Sequence, residues 1–288
     1  MSIRRILVPF FGYPPKSWGM EMAMLLAKDF NARVTVLHTR SKVDFHGLFL
    51  TKPRNLEVSG ALGKYLSKQA AERENEFRLM FEKISEKHKV SHAKFPNAAP
   101  SASFHISDVP EAEAIKSYGR VHDIVVVGCY SNHLATHYEK FTSWSLNEFG
   151  NILCAIGHPL LLAPRSPPST VGTKILIGWN DSAESARAVT SAIPFLKRAK
   201  SVIAISITTD AGKRSSIDNL VRYLHAHDIE TKSKEVEKGQ ISFGQILLDE
   251  AKHSQADLLV VGGILILGSA NRLSVASLTI CLCMPIVP

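Results

Sequence analysis

The chain has 288 residues, 45% hydrophobic and 21% charged, with a formal net charge of +8. That balance fits a globular protein with enough apolar material for two cores of ordinary size. No apolar run reaches membrane-spanning length and Met1-Ser2-Ile3-Arg4-Arg5 runs straight into a strand, so neither a transmembrane anchor nor a signal peptide is expected.

Arg4-Arg5-Ile6-Leu7-Val8-Pro9 reads as a first strand, apolar without polar alternation, the pattern of a strand buried on both faces. A helix is expected over Trp18–Phe30, with Met20, Met24 and Ala27 on one face and Ala23 and Leu26 beside them. Val34–His38 is the second strand. The stretch 41–63 mixes Phe45, Leu48, Phe49 and Leu50 with Gly and Pro and reads as a packed loop. A long helix follows, about Gly60 to His88, and then the strand Asp123–Gly128. A helix over Trp144–Ala155 and a strand over Leu160–Pro164 finish this half.

Ala163-Pro164-Arg165-Ser166-Pro167-Pro168-Ser169-Thr170 reads as a linker, dividing the chain into residues 1–164, a join at 165–172, and residues 173–288. The second half repeats the first. Thr173–Gly178 answers the first strand, and Ser182–Leu196 answers the first helix, with Ala186, Val189, Ala192, Ile193 and Leu196 turned inward. Ser182, with Asn180-Asp181 before it and Ser185 three residues on, reads as an N-cap. Val202–Ser206 is the next strand, followed by a helix over Lys213–Asp228, a strand near Thr231–Val236, a helix over Ser242–His253 and the strand Asp257–Val261. The expected fold class is α/β: two tandem, doubly wound, open parallel sheets, the second cut short after its fourth strand. Ligands of such sheets bind at the carboxyl ends of the strands.

These residues carry a resemblance. Ile175-Leu176-Ile177-Gly178-Trp179-Asn180-Asp181-Ser182, then Glu184, Ala186–Val189, Ala192–Leu196 and Ala199, resemble the first strand and helix of tandem universal stress proteins of bacteria. Ala256–Gly262 resembles the fourth strand, and Gly157-His158-Pro159-Leu160-Leu161-Leu162-Ala163-Pro164 resembles the closing Gly-Arg-Pro-Val-Leu-Leu-Val-Pro. The likeness covers about residues 3–263. It implies a cytoplasmic, non-enzymatic stress-response protein whose two domains pair as an internal pseudo-dimer. A homodimer stays open, since the fifth strand often lies at the dimer edge in similar proteins.

The resemblance also implies ATP or another adenine nucleotide as ligand, held in the second half by Asn180, Ser182 and Gly262. ATP-binding members carry Gly-x-x-Gly, nine further residues and Gly-Ser/Thr after the fourth strand, where glycines let backbone N–H groups reach phosphate. Gly128-Cys129-Tyr130-Ser131 in the first half lacks the second glycine. In the second half Gly262 is present, but Leu265 stands at the second glycine and Asn180 replaces the family's Asp. Nucleotide binding is therefore expected to be degenerate.

The tail from Ile264 has no counterpart in the first half. Read one base out of frame from Gly263, its permitted codons include Tyr-Ser-His-Ser-Arg-Leu-Arg-Glu, and over Ser274–Leu278 they include Gly-Gly-Val-Thr. Tandem members resemble this at the same point and spacing. The expectation is a gene that lost one base near codon 263, leaving the second half without its phosphate loop, fourth helix and fifth strand. The tail at Ile280–Val287 then either imitates a closing strand or stays exposed.

Other chemistry is weaker. Four scattered cysteines favour a reducing compartment. Cys129, His133 and His137 lack a fourth ligand and read as a surface loop, and Cys281-x-Cys283 is too tight for a zinc knuckle, so no metal is expected. Gly268-Ser269 has apolar flanks and the wrong spacing for a phosphate loop. Asp181, Glu184 and Arg187 read as capping and surface pairing rather than acid–base catalysis. The net charge reads as solvated Lys and Arg. Nucleic acid is not expected, because aromatic and basic residues do not interleave. An ATP-cleaving enzyme of the same fold group would need a Ser-Gly-Gly-x-Asp-Ser loop, absent from both halves. A nucleotide-independent interaction module is the remaining alternative.

Overall fold

A computed structural model describes residues 2–10, 17–40, 56–93, 98–128, 156–164, 169–208, 216–262 and 279–283. In chain order the first half comprises β1 (Arg5–Pro9), α1 (Trp18–Phe30), β2 (Arg33–Thr39), α2 (Leu56–Lys87), β3 (Ser91–His92), β4 (Ser101–Ser107), α3 (Glu111–Gly119), β5 (Ile124–Gly128) and β6 (Leu160–Ala163). The second comprises β7 (Lys174–Trp179), α4 (Ala183–Leu196), β8 (Ser201–Thr208), α5 (Ile217–His225), β9 (Lys232–Glu237), α6 (Phe243–His253), β10 (Leu258–Gly262) and β11 (Thr279–Cys283). β3, β4 and α3 are elements that the apolar pattern of the sequence does not mark. The expected helix 144–155 lies outside the described residues.

The strands form one sheet in the order β3-β4-β2-β1-β5-β6-β11-β10-β7-β8-β9. It contains two parallel runs, six strands from the first half and four from the second, each doubly wound as expected. The repeat is visible in the register: Ile6 lies beside Ile124 in one half, and Ile175 beside Leu258 in the other. The absence of polar alternation has a direct cause. Ile6 and Val8 enter one core and Leu7 the other, so each central strand is apolar on both sides.

A pair of aspartates fixes the start of each half. Asp123 Oδ2 accepts the backbone N–H groups of Arg4 and Arg5 at 2.7 and 2.8 Å. Asp257, 1% exposed, accepts those of Thr173 and Lys174 at 3.0 Å each and the Thr170 hydroxyl at 3.0 Å. These acids repeat because each half must tie the start of its first strand to the start of its fourth.

The tail imitates a closing strand, in the opposite sense to the first half's. β6 runs parallel to β5, with Val125 beside Leu160, after the connection 129–159. β11 occupies the corresponding place but runs antiparallel to β10, Leu258 facing Cys283 and Gly262 facing Thr279. An antiparallel return needs only a reversal of direction, whereas a parallel one needs a crossover, usually a helix. β11 is also parallel to β6. The two parallel runs therefore point in opposite directions, and their carboxyl ends lie at opposite ends of the sheet.

The first helices of the two halves meet at this join. Phe30, last in α1, and Phe195, near the end of α4, stack edge-on with centroids 5.0 Å apart, and the Arg198 guanidinium lies 5.0 Å from the Phe30 ring. The buried stripe of α1 includes Met20, Ala23, Met24, Leu26 and Ala27, as expected. That of α4 differs at one position: Ala186 is exposed, while Ser185 and Ala188 are buried, because the stripe runs 185-188-192 along the helix. The outer strand β9 presents Lys232, Lys234, Glu235 and Glu237 to solvent, a charged edge that discourages further strand pairing.

Candidate functional site

β7 and β10 are neighbours, with Val261 beside Gly178, so their carboxyl ends open at one place beside the start of α4. There the chain turns through Asp181, whose φ of 59° is left-handed and suits Asp or Asn. Ser182 then caps the helix. Its Oγ accepts the Ser185 N–H at 3.1 Å while Ser185 Oγ accepts the Ser182 N–H at 3.1 Å, a reciprocal capping box. The Ser182 hydroxyl donates to Asn180 Oδ1 at 2.8 Å. Trp179, half-buried, donates its indole N–H to Ser216 Oγ at 2.8 Å, tying β7 to the start of α5.

Gly262 closes the site from the other side. A Cβ there would lie 2.7 Å from Glu184 C and 2.7 Å from Ser185 N, so the strand end meets the first turn of α4 backbone to backbone. The first half repeats this approach with different glycines. A Cβ on Gly19, in α1, would lie 3.1 Å from Gly128 N, whereas one on Gly128 would meet nothing nearer than 3.6 Å. Gly262→Ala is accordingly expected to destabilise the protein by about 1–3 kcal/mol through overpacking, and Gly128→Ala by much less. Urea midpoints of the two variants check this, and equal midpoints would contradict it.

The first half's matching end is filled. Phe10, 4% exposed, takes the place corresponding to Trp179 and packs on Phe77 at 4.9 Å. His38 donates Nδ1–H to the Phe10 carbonyl at 3.2 Å and lies edge-on to Phe77 at 4.7 Å. Burial holds this imidazole below its usual pKa, against the opposing pull of that carbonyl. Above it Arg40 bridges Glu74 at 2.8 Å and Asp108 at 3.2 Å.

No family model and no curated protein matches the chain. Among solved structures it is similar to a universal stress protein from Archaeoglobus fulgidus DSM 4304, with a TM-score of 0.58 at 16% identity. That likeness covers 97% of each chain. The fold is that of the universal stress proteins. The universal stress protein UspA from Lactobacillus plantarum overlays less closely, with a TM-score of 0.37 at 15% identity over 57% of this chain and 98% of that one. The assignment rests on the first.

Within this universal stress fold, Asn180 and Ser182 follow β7 and Gly262 ends β10, at neighbouring strand ends. Asn180 and Ser182 are directly bonded, and Gly262 lies against the two residues that follow Ala183. Glu184 and Arg187 form the surface pair, at 3.1 Å. Ser216 and Gly178 were not foreseen. A Cβ on Gly178 would lie 3.0 Å from both Leu247 and Val261, so this strand glycine makes room for α6. No sequence signal marks Ser216, which reaches Trp179 only through the fold. Cys129, His133, His137 and Gly268-Ser269 lie outside the described residues. Among those described, no cluster of potential ligands could hold a metal ion, and no helix is long and apolar enough to cross a membrane.

Proposed function

We propose that the protein is a non-enzymatic, cytoplasmic stress-response factor whose two domains, divided at 165–172, act as an internal pseudo-dimer. Its second domain derives from an adenine-nucleotide site bordered by Asn180, Ser182 and Gly262. The observation that carries this reading is the end-to-end likeness to a universal stress protein, together with the convergence of those three residues at the carboxyl ends of β7 and β10. Contact between Phe30, at the end of α1, and Phe195, near the end of α4, joins the first helices of the two halves and supports the pseudo-dimer.

The reversed sense of β11 supports the frameshift reading. A duplicated half should close with a parallel strand, as β6 does, and this one does not. The gene sequence tests it directly: the shifted frame must spell His-Ser-Arg-Leu-Arg-Glu and then Gly-Gly-Val-Thr. For function, calorimetric titration with ATP should compare the unaltered chain with a form carrying the shifted-frame tail. Binding by the restored form alone is the expected result. Binding by neither would favour the interaction module, a reading supported by the purely packing contacts of Gly262.

A further inference from the structure

The long helix α2 outruns the sheet it packs on. Phe77, Phe81 and Ile84, near its end, are buried in the core. Glu74 already meets Arg40, the residue just past β2, at 2.8 Å. The helix begins at Leu56, so residues 56–73, about 27 Å of helix, carry on beyond that strand end. Of the described side chains from 65 to 76, none is buried. A helical stretch so exposed gains little from its own body, and is held by pairs along its surface or by a partner.

The stretch is complementary to itself. Tyr65 and Leu79, 60% and 56% exposed, stand two heptads apart on one face of α2, with Glu72 midway. Lys68 and Glu76, both exposed, lie one turn to either side of Glu72. Lys68 Nζ is 4.0 Å from the Glu72 carboxylate, to which Gln69 also donates at 3.2 Å. Laid antiparallel on a second copy, with the two-fold axis at Glu72, Tyr65 falls opposite the partner's Leu79 and Lys68 opposite the partner's Glu76. Symmetry makes each contact twice. A parallel pairing would set lysine on lysine instead. The only like-charged pair in the antiparallel register is Glu72 on Glu72, and each of these carboxylates has Lys68 and Gln69 against it. One pair of helix faces is a small contact, so the complex is weak and reversible.

We propose that this face of α2 docks a second copy of the chain in antiparallel sense, as a surface for self-association. The inference goes beyond the nucleotide reading and does not depend on it. Sedimentation velocity of the full chain over a concentration series tests it, with urea midpoints showing that each variant stays folded. A reversible monomer–dimer equilibrium is the expected result. Leu79→Lys should weaken the dimer at least about tenfold. Lys68→Glu and Glu76→Lys should each weaken it about fivefold, since two attractions become repulsions. The variant carrying both charge changes should return to within about twofold of the parent, because exchanging the signs restores the attraction. Glu72→Gln should tighten the dimer about twofold by relieving the pair on the axis. A chain that stays monomeric, as it would if its own segments covered the arm, would overturn the inference. So would a dimer whose affinity ignores these substitutions, which would use another surface, or a charge exchange that fails to restore affinity.

Discussion

Asp257→Ala is expected to cost about 3–5 kcal/mol of stability, the largest loss from any single side chain considered, because it strands buried donors rather than merely deleting a contact. The carboxylate accepts two backbone N–H groups and one hydroxyl at 3.0 Å each, in a position 1% exposed. Without it, the N–H groups of Thr173 and Lys174 lose their acceptor at the point where β7 joins β10. Asp257→Asn keeps one acceptor oxygen and should lose roughly half as much. Asp123→Ala, the equivalent change in the first half, should cost only about 1–2 kcal/mol, because water can replace that exposed carboxylate. Urea unfolding of the three variants decides the matter, and an Asp257→Ala loss no larger than that of Asp123→Ala would refute the clamp.

The second large effect is acid sensitivity centred on His122. Its ring is 1% exposed and lies between the Tyr118 carbonyl at 2.6 Å and Thr35 Oγ1 at 3.0 Å. The carbonyl can only accept, so Nδ1 carries the proton, and Nε2 accepts from the Thr35 hydroxyl. Burial pushes the imidazole pKa down to about 4; the Tyr118 carbonyl and Asp123 oppose the shift, while Arg5 and His105 add to it. A lowered folded-state value means that the unfolded chain takes the proton first as the pH falls. Stability from this residue is therefore complete above about pH 6.5 and is lost down to about pH 4, by about 3 kcal/mol in all. His38 and His88, also held low by burial, act in the same direction. In His122→Gln, which can still donate and accept, the decline in unfolding free energy between pH 6.5 and 4.5 should flatten markedly. An unchanged slope would mean that His122 titrates normally.

Local pattern alone made much of the molecule legible. α1 falls on the residues its apolar spacing indicated, and the central strands β1, β2, β5, β7, β8 and β10 stand where unbroken apolar runs lie between polar turns. Burial on both faces leaves so plain a mark that little else could have been written there. The same holds for the Ser182 cap, because a capping box joins residues three apart and needs no partner from elsewhere. That Asn180 and Ser182 follow β7 and Gly262 ends β10 was readable because each stands at the end of an unbroken apolar run.

Contacts between distant segments were not readable. β4 and α3 escaped because Ser101–Ser107 is a mixed polar and apolar run and Glu111–Gly119 a short helix. The tail's composition permitted a strand, but its direction depends on what the edges of β6 and β10 accept. The opposite sense of the two parallel runs follows from β11 and could not be inferred from either half alone. Gly262 looked like a position kept open for phosphate, and only the approach of Glu184 and Ser185 at 2.7 Å reveals its part in packing. Sequence determined this protein's central strands, its first helix and the Ser182 cap, because hydrophobic period and capping are local. The tertiary structure decided polarity, closure and the space left for a ligand, because these depend on which backbones come into contact.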